Sequence, residues 1–202
     1  ERSSDRRIEP RDACYLSTSP WQIMDYDYEL FWKRAILEEI FRQQKLQLDK
    51  CEISEVQTDG RDYFYRNKME YALYYSHEDG LIHLAFHGRG SHRKVIAESS
   101  SLERPEIYAR AQEIVRELNA KHAEARNFQS LLLRCDQSGH VEGGLFENHQ
   151  PRPKFPNLED QILGQQYSYS PNGFFQINLP VYEMALREIK NWVNTAEVLD
   201  LY

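Results

Sequence analysis

The sequence predicts an α+β fold, with a central module of antiparallel strands and helices followed by the first helix and strand of a second unit. Three observations lead to this prediction. Residues 51–170 contain several short strand-like segments that are separated by turn residues. Amphipathic helical patterns lie before and within this region. At the C-terminus a helical segment is followed directly by a buried strand, which is how a parallel α/β sheet begins.

The composition excludes several classes of protein. Hydrophobic residues make up 41% of the chain and charged residues 28%, so a packed core is expected and disorder is not. The apolar runs are too short to span a membrane, and no apolar segment follows the N-terminal ERSSDRRIEPRD as it would in a secretory signal. The three cysteines, Cys14, Cys51 and Cys135, are far apart. This sparse usage is typical of a reducing compartment, so we expect a cytoplasmic protein without a zinc site.

The net charge and the local distribution of charge point to different binding partners. The formal net charge of −7 argues against a protein dominated by phosphate contacts. The stretch FHGRGSHRKVI at 86–96, however, contains Arg89, Arg93 and Lys94 and no acidic residue. Such a loop could bind a polyanion, although charge alone favours an ordinary solvated hairpin.

Two amphipathic helices are predicted in the first two thirds of the chain. The first extends from about Tyr26 to Leu46, and a second begins at about Pro105, because proline suits the first turn of a helix. The apolar positions of the first helix are Trp32, Ile36, Leu37, Ile40 and Phe41. Those of the second are Ile107, Tyr108, Ala111, Ile114, Val115 and Leu118.

Strand-like segments fill the region between and after these helices. CEISEVQ at 51–57 alternates, and YFYRNKMEYALYY at 63–75 is followed by a Glu-Asp-Gly turn and LIHLAF, which predicts a hairpin. FQSLLLRCD and HVEGGLFE form a second predicted pair around Ser138-Gly139. Three prolines, at 151, 153 and 156, indicate a loop, and ILGQQYSYS indicates a further short strand pair.

The last unit is predicted as a capped helix followed by a strand at 197–202. Asn178 is a good N-cap and Pro180 lies just inside the helix. One helix face carries Val181, Met184, Ala185, Ile189, Trp192 and Val193. Asp200 stands near the strand end, where nucleotide-binding folds place an acidic residue, but many buried strands end in aspartate.

Two stretches could contact RNA, and each has a simpler explanation. In NGFFQIN, adjacent aromatic residues and an amide could grip a base, but packing of Phe174 and Phe175 in the core, with Asn178 as the cap, is favoured from the residues alone. The second stretch combines Arg66 and Lys68 with the basic loop. These cations are interleaved with Tyr63, Tyr65, Tyr71 and His92, a pattern that suits RNA. They could equally pair across strands with Glu70, Glu78 and Asp79.

Taken in order, the motifs resemble those of one family. They are RRIEPRDACYLSTSPWQIMDYDYELFWKRAILEEI, YRNKMEYALYY, FHGRGSHRKV, YSYSPNGFFQINLPVYEMAL and VLDLY. Together they are similar to the RNA (uracil-5-)-methyltransferase family, which methylates carbon 5 of uridine in ribosomal or transfer RNA with S-adenosylmethionine. The resemblance implies a lead-in at 1–22, a helix at 23–50 that packs on the methyltransferase domain, a central RNA-binding domain at 51–170, and the start of a Rossmann-like methyltransferase domain at 171–202.

The resemblance also implies roles for individual residues. Gln176 and Tyr202 match positions that contact S-adenosylmethionine, and Phe174 matches an aromatic residue near the target base. Arg66 and Lys68 fall in a sheet that faces RNA in the family, and Arg89, Arg93 and Lys94 add a basic loop to it. The catalytic cysteine and the glutamate base of the family lie beyond Tyr202, so none of the three cysteines is assigned that role and the chain alone is expected to be inactive.

One loop departs from the family pattern. Many members carry a CGGCxxQ-like signature that holds a [4Fe–4S] cluster, but here Ser17 and Pro20 occupy two of the ligand positions. Because such a cluster needs about four thiolates, we predict no iron–sulfur cluster and no metal. Two alternatives remain. The chain could be a non-catalytic RNA-binding protein that retains only the central module, or a metal or redox protein that uses Cys14, Cys51 and Cys135.

Overall fold

The computed structural model describes residues 4–46, 52–98, 100–193 and 197. The helices are α1 (Tyr15–Thr18), α2 (Tyr26–Gln43), α3 (Pro105–Ala120) and α4 (Leu179–Trp192). The strands are β1 (Lys68–Tyr75), β2 (Ile82–His87), β3 (Lys94–Ile96), β4 (Phe128–Cys135), β5 (Val141–Glu147), β6 (Leu158–Ile162) and β7 (Gln165–Tyr169). Within these ranges no helix combines the length and apolar character that a membrane span requires.

The strands form one five-stranded sheet and one separate hairpin. The large sheet has the order β3-β2-β1-β4-β5, β6 and β7 pair with each other, and every pairing is antiparallel. Ala72 faces Ala85 across β1 and β2, and Lys68 faces Arg134 across β1 and β4. The predicted mixture of helices and antiparallel sheet is therefore confirmed, while the proposed domain boundaries stay a prediction.

The core lies between α3 and one face of the large sheet. Helix α3 contacts β2, β4 and β5, and its predicted apolar stripe is buried at Ile107, Ala111, Ile114, Val115 and Leu118. Tyr71 lies in this core and is fully buried, with its hydroxyl group donating a hydrogen bond to the carboxylate of Glu103. Its placement among RNA-facing aromatic residues was therefore wrong, because its position in the strand directs it toward α3.

The predicted strand at 51–57 is absent from residues 52–57, and Cys51 is outside the described residues. This segment lies along α2, to which it is joined by an ion pair between Arg34 and Glu55 and a hydrogen bond between Tyr26 and Thr58. Alternation indicates a strand only where a neighbouring strand offers its backbone, and here side chains of a helix take that place.

The N-terminal segment is attached to the core by a buried carboxylate. Asp12 is fully buried and accepts hydrogen bonds from the backbone N–H and hydroxyl group of Ser101, at 3.1 and 2.7 Å, and from the amide of Gln22 at 2.9 Å. The backbone N–H of Asp12 donates in return to Gln22. These bonds fix residues 12–22 relative to the sheet.

Two helices keep large apolar side chains exposed. Helix α2 begins at Tyr26, as predicted, with Asp25 as its N-cap. None of its residues is buried, and Phe31, Trp32 and Ile40 are exposed. Helix α4 begins after Asn178, whose side chain accepts from the backbone N–H of Val181, and Trp192 at its end is 70% exposed. The predicted strand at 197–202 lies outside the described residues except for residue 197.

One glycine in β5 is required by the close approach of β4. Gly143 has a φ of +127°, and a Cβ atom added to it would lie 2.2 Å from the carbonyl oxygen of Leu132. The substitution Gly143→Ala is therefore expected to lower the free energy of unfolding by at least ~3 kcal/mol, because both the backbone conformation and the contact are unfavourable.

Gly164 provides a matched control in the β6–β7 turn. Its φ is +80°, but an added Cβ would meet no atom within 4 Å. Gly164→Ala should therefore cost only roughly 1 to 2 kcal/mol. Denaturant unfolding of both variants measures the difference, and equal losses would show that β4 and β5 are not in this register.

Candidate functional site

The segment SPNGFFQIN at 170–178 crosses the end of the large sheet and exposes one aromatic side chain. Phe174 is 88% exposed, whereas Phe175 stacks on Tyr169 with ring centroids 3.9 Å apart. The sequence-based explanation in which both rings enter the core is therefore wrong for Phe174, and Phe175 is half-buried against Tyr169. Phe174 points its ring away from the protein, where a planar ligand can stack on it.

The buried guanidinium group of Arg134 fixes this segment to β4. Arg134 is 1% exposed, and its two terminal nitrogens donate hydrogen bonds of 3.2 Å to the carbonyl oxygens of Gly173 and Phe175. The same group lies 5.4 Å from the ring centroid of Tyr169. Arg134 thus determines the position of the backbone on both sides of Phe174.

Asn67 fixes the next part of the same segment. Its side-chain amide donates to the carbonyl oxygen of Gln176 at 2.9 Å, and its backbone N–H donates to that of Ile177 at 3.0 Å. The backbone carbonyl oxygen of Asn67 accepts a hydrogen bond of 2.8 Å from the backbone N–H of Cys135. The backbone of Gln176 is thereby fixed, whereas its side-chain amide forms no hydrogen bond with the described residues and can bind a ligand.

The charge of Arg134 has no direct carboxylate partner among the described residues. Burial lowers the pKa of its guanidinium group, and the nearest compensation passes through Tyr169, whose hydroxyl group donates to the buried Asp160. Burial also raises the pKa of the Asp160 carboxyl. A second cation, Lys68, lies directly opposite Arg134, and its pKa is lowered by burial and then by the charge of Arg134.

The predicted basic residues are divided between two grooves at the sheet. Arg66 and Lys68 line an open groove of about 320 Å³ beside α1. Arg93 and Lys94 line a second, of about 590 Å³, between β3 and Tyr74. Arg89 is exposed at the tip of the β2–β3 turn. None of these five cations forms an ion pair with a carboxylate within the described ranges, although the charge of Glu70 acts on Lys68 and opposes the lowering of its pKa.

Tyr74 is a candidate site residue that the sequence reading missed. It is exposed on the face of the sheet opposite α3, next to the basic hairpin. The amine of Lys94 donates to the carbonyl oxygen of Leu73 at 2.8 Å, so the lysine side chain crosses β2 and ends beside Tyr74. Strict alternation from the buried Tyr71 would have placed Tyr74 on the outer face.

The residues at the loop that resembles a cluster-binding signature do not fit an iron–sulfur cluster. Cys14 is buried, the neighbouring positions carry Ser17 and Pro20, and the described residues contain no group of three histidine, cysteine or acidic side chains that could hold a metal ion. Burial, followed by the charge of Asp12, raises the pKa of the Cys14 thiol to about 11, which disfavours the thiolate that a metal needs. Tyr202 and Asp200 lie outside the described residues.

Comparison with known proteins identifies the fold. No protein-family model and no curated protein matches the chain. The structure is similar to the crystal structure of a tRNA (uracil-54, C5)-methyltransferase from Pyrococcus abyssi in complex with S-adenosyl-L-homocysteine. The TM-score is 0.67 at 18% sequence identity, and the match covers 98% of this chain and 54% of that chain. The chain therefore spans about half the length of that enzyme and has a fold similar to that part of it.

Removal of Arg134 tests how the 170–178 segment is held. Arg134→Ala should lower the free energy of unfolding by roughly 2 to 4 kcal/mol, because two buried carbonyl groups lose charge-assisted hydrogen bonds. Arg134→Lys keeps the charge but cannot bond both carbonyls, so its loss should be intermediate. The exposed Arg116 in α3 offers a control, and Arg116→Ala should change stability by less than ~0.5 kcal/mol. An Arg134→Ala protein as stable as this control would contradict the assignment.

Proposed function

We propose that this chain is the RNA-binding part of a methyltransferase that transfers a methyl group from S-adenosylmethionine to carbon 5 of uridine in ribosomal or transfer RNA. The observation that carries the proposal is the fold likeness to a tRNA (uracil-54, C5)-methyltransferase over 98% of the chain. The ordered sequence motifs, which resemble the same family, support it independently.

RNA would lie against the outer face of the large sheet and its loops. Arg93, Lys94 and Tyr74 line one groove there, and the cations have no carboxylate partner among the described residues. RNA recognition commonly combines phosphate contacts by cations with stacking of unpaired bases on aromatic side chains. The exposed ring of Phe174 would then receive the target base or a neighbouring one.

S-adenosylmethionine would be contacted by the side chain of Gln176, whose backbone is held by the bond from Asn67 to its carbonyl oxygen and by the bond from Arg134 to that of Phe175. The cofactor supplies the methyl group of the reaction. This chain would orient the RNA so that one uridine, taken out of its stack, reaches the reacting centre. The nucleophile and the base would come from the methyltransferase domain.

The exposed apolar faces of α2 and α4 would pack against that methyltransferase domain. Trp32, Ile40 and Trp192 are large side chains that a monomeric protein seldom leaves exposed together. The alternative is a non-catalytic RNA-binding protein that uses the same grooves. A gene that continues with a Gly-rich cofactor loop and a cysteine nucleophile favours the enzyme, and a stop codon after residue 202 favours the alternative.

RNA binding can be tested on the chain alone. Tyr74→Leu keeps apolar volume but removes the aromatic face, and it should weaken binding of a uridine-rich single-stranded RNA about tenfold. Arg93→Gln should weaken binding less and reduce the slope of log affinity against log salt by about 0.7, because one phosphate contact is lost. Fluorescence anisotropy at several salt concentrations measures both effects.

The exposed Arg116 in α3 lies on another surface, and Arg116→Gln should leave RNA affinity and salt slope unchanged. If Arg116→Gln weakens RNA as much as Arg93→Gln, binding is distributed over the surface. If Tyr74→Leu and Arg93→Gln both match the unmodified chain, RNA does not lie on this face.

The chain alone is expected to be catalytically inactive. Incubation of the chain with uridine-containing RNA and radiolabelled S-adenosylmethionine should transfer no methyl group, because the chain carries no assigned nucleophile. Calorimetry should show only weak binding of S-adenosylmethionine, since Gln176 supplies one wall of the pocket. Formation of 5-methyluridine by this chain alone would overturn the assignment of the chemistry to another domain.

A further inference from the structure

The groove beside α1 combines hydroxyl groups, cations and an apolar floor. Ser17 and Thr18 of α1 lie on one side, and Arg66 and Lys68 at the start of β1 lie on the other. Apolar side chains, among them Phe86 and Leu102, form part of the lining. With about 320 Å³ open to solvent, the groove can admit a small polar group that is itself part of a longer chain.

The two cations of the groove are unpaired within the described part of the chain. The side chains of Arg66 and Lys68 form no ion pair or hydrogen bond there, and the Nε atom of Arg66 is buried without a hydrogen-bond partner. Two arginines of the neighbouring helix region are paired, since Arg104 bonds Glu106 at 2.8 Å and Arg110 bonds Glu113 at 3.0 Å. On a chain of net charge −7, two neighbouring cations without partners indicate a site that favours an anion.

Electrostatic repulsion between Lys68 and Arg134 also favours the binding of an anion. Lys68 lies directly opposite Arg134 on β4, and the fully buried Arg134 cannot move its charge into solvent. Like charges that face each other across an antiparallel ladder destabilise the sheet. An anion bound beside Lys68 would lower the electrostatic energy of both Lys68 and Arg134.

Two acidic residues lie near the groove, and the charge of one of them, Glu70, opposes the lowering of the Lys68 pKa without forming an ion pair with the lysine. Glu70 lies at the rim, is exposed, and accepts a hydrogen bond of 2.6 Å from the hydroxyl group of Ser130. Glu103, which is bridged to Arg66 through the backbone, is fully buried and bound by Tyr71 and Ser100. Burial raises the pKa of the Glu103 carboxyl, so its ionised form is disfavoured.

We propose that this groove binds a phosphate group, with Arg66 and Lys68 supplying the charge and the hydroxyl group of Ser17 donating to its oxygens. The hydroxyl group of Thr18, which otherwise donates to the carbonyl oxygen of Tyr15 at 3.5 Å, would exchange that long bond for one to the phosphate. A phosphate presents several acceptor oxygens, which suits converging donors of this kind. The RNA backbone is the source that follows from the function proposed above, and the inference deepens that function. Free phosphate has the same chemistry, so the experiment must separate the two sources.

The test uses Lys68→Gln and Thr18→Val, with Lys121→Gln as the matched control. Lys121 is an exposed lysine at the end of α3, away from the groove. Lys68→Gln should weaken RNA binding about fivefold to tenfold and reduce the salt slope by about 0.7, because one phosphate contact is lost. Thr18→Val should weaken binding about threefold without changing that slope, since it removes a neutral donor of similar shape. Lys121→Gln should change neither quantity.

Thermal unfolding in increasing inorganic phosphate provides a readout that does not depend on RNA. Phosphate at fixed ionic strength should raise the Tm of the unmodified chain and of Lys121→Gln, and the rise should be lost in Lys68→Gln. In the absence of phosphate, the Tm of Lys68→Gln should equal or exceed that of the unmodified chain, because the repulsion from Arg134 is gone. A residue with a purely structural role would lower the Tm instead.

The outcomes separate this inference from the function on which it rests. If RNA binds but Lys68→Gln and Thr18→Val behave like Lys121→Gln, the phosphate site is overturned and RNA binding stands. If RNA fails to bind but phosphate still raises the Tm in a Lys68-dependent way, the phosphate site stands and the proposed function fails. If neither RNA nor phosphate has any effect on the unmodified chain, both are overturned.

Discussion

The buried guanidinium group of Arg134 is the interaction on which the candidate site depends. A charge that is 1% exposed loses most of its hydration, and no described carboxylate bonds it directly. Its compensation comes from the carbonyl oxygens of Gly173 and Phe175 and from the ring of Tyr169. Because these acceptors belong to one short segment, the segment must stay in place for the charge to be tolerated. The exposed ring of Phe174 and the amide of Gln176 are therefore held on a rigid support.

The same charge shapes the sheet surface beside it. Lys68 faces Arg134 across the pair of strands β1 and β4. Arg66, two residues before Lys68, has a buried Nε atom without a hydrogen-bond partner among the described residues. Arg104 and Arg110, in contrast, form ion pairs with Glu106 and Glu113. Arg66 and Lys68 thus lie together at one end of the sheet, in the groove for which a phosphate is proposed.

Much of the fold could be predicted because periodicity and capping residues act locally. Asn178 and Pro180 predicted the start of α4, and the apolar stripe of α3 predicted the face that is buried. The segment at 52–57 could not be placed, because alternation does not show whether a neighbouring strand or a helix lies beside it. Arg134 was missed for a related reason, since one arginine within FQSLLLRCD does not reveal which distant carbonyl groups it bonds.

A buried carboxylate fixes the N-terminal loop to the core. Its sequence lacks the thiolates that the resemblance leads one to expect, yet residues 12–22 are fixed by the bonds of Asp12 to Ser101 and Gln22. A carboxylate buried with three donors is a rigid anchor, because each unsatisfied donor would cost free energy. This anchor places Ser17 and Thr18 beside the unpaired cations of β1. The buried carboxylate of Asp12 is thus linked, through this short loop, to the groove for which a phosphate is proposed.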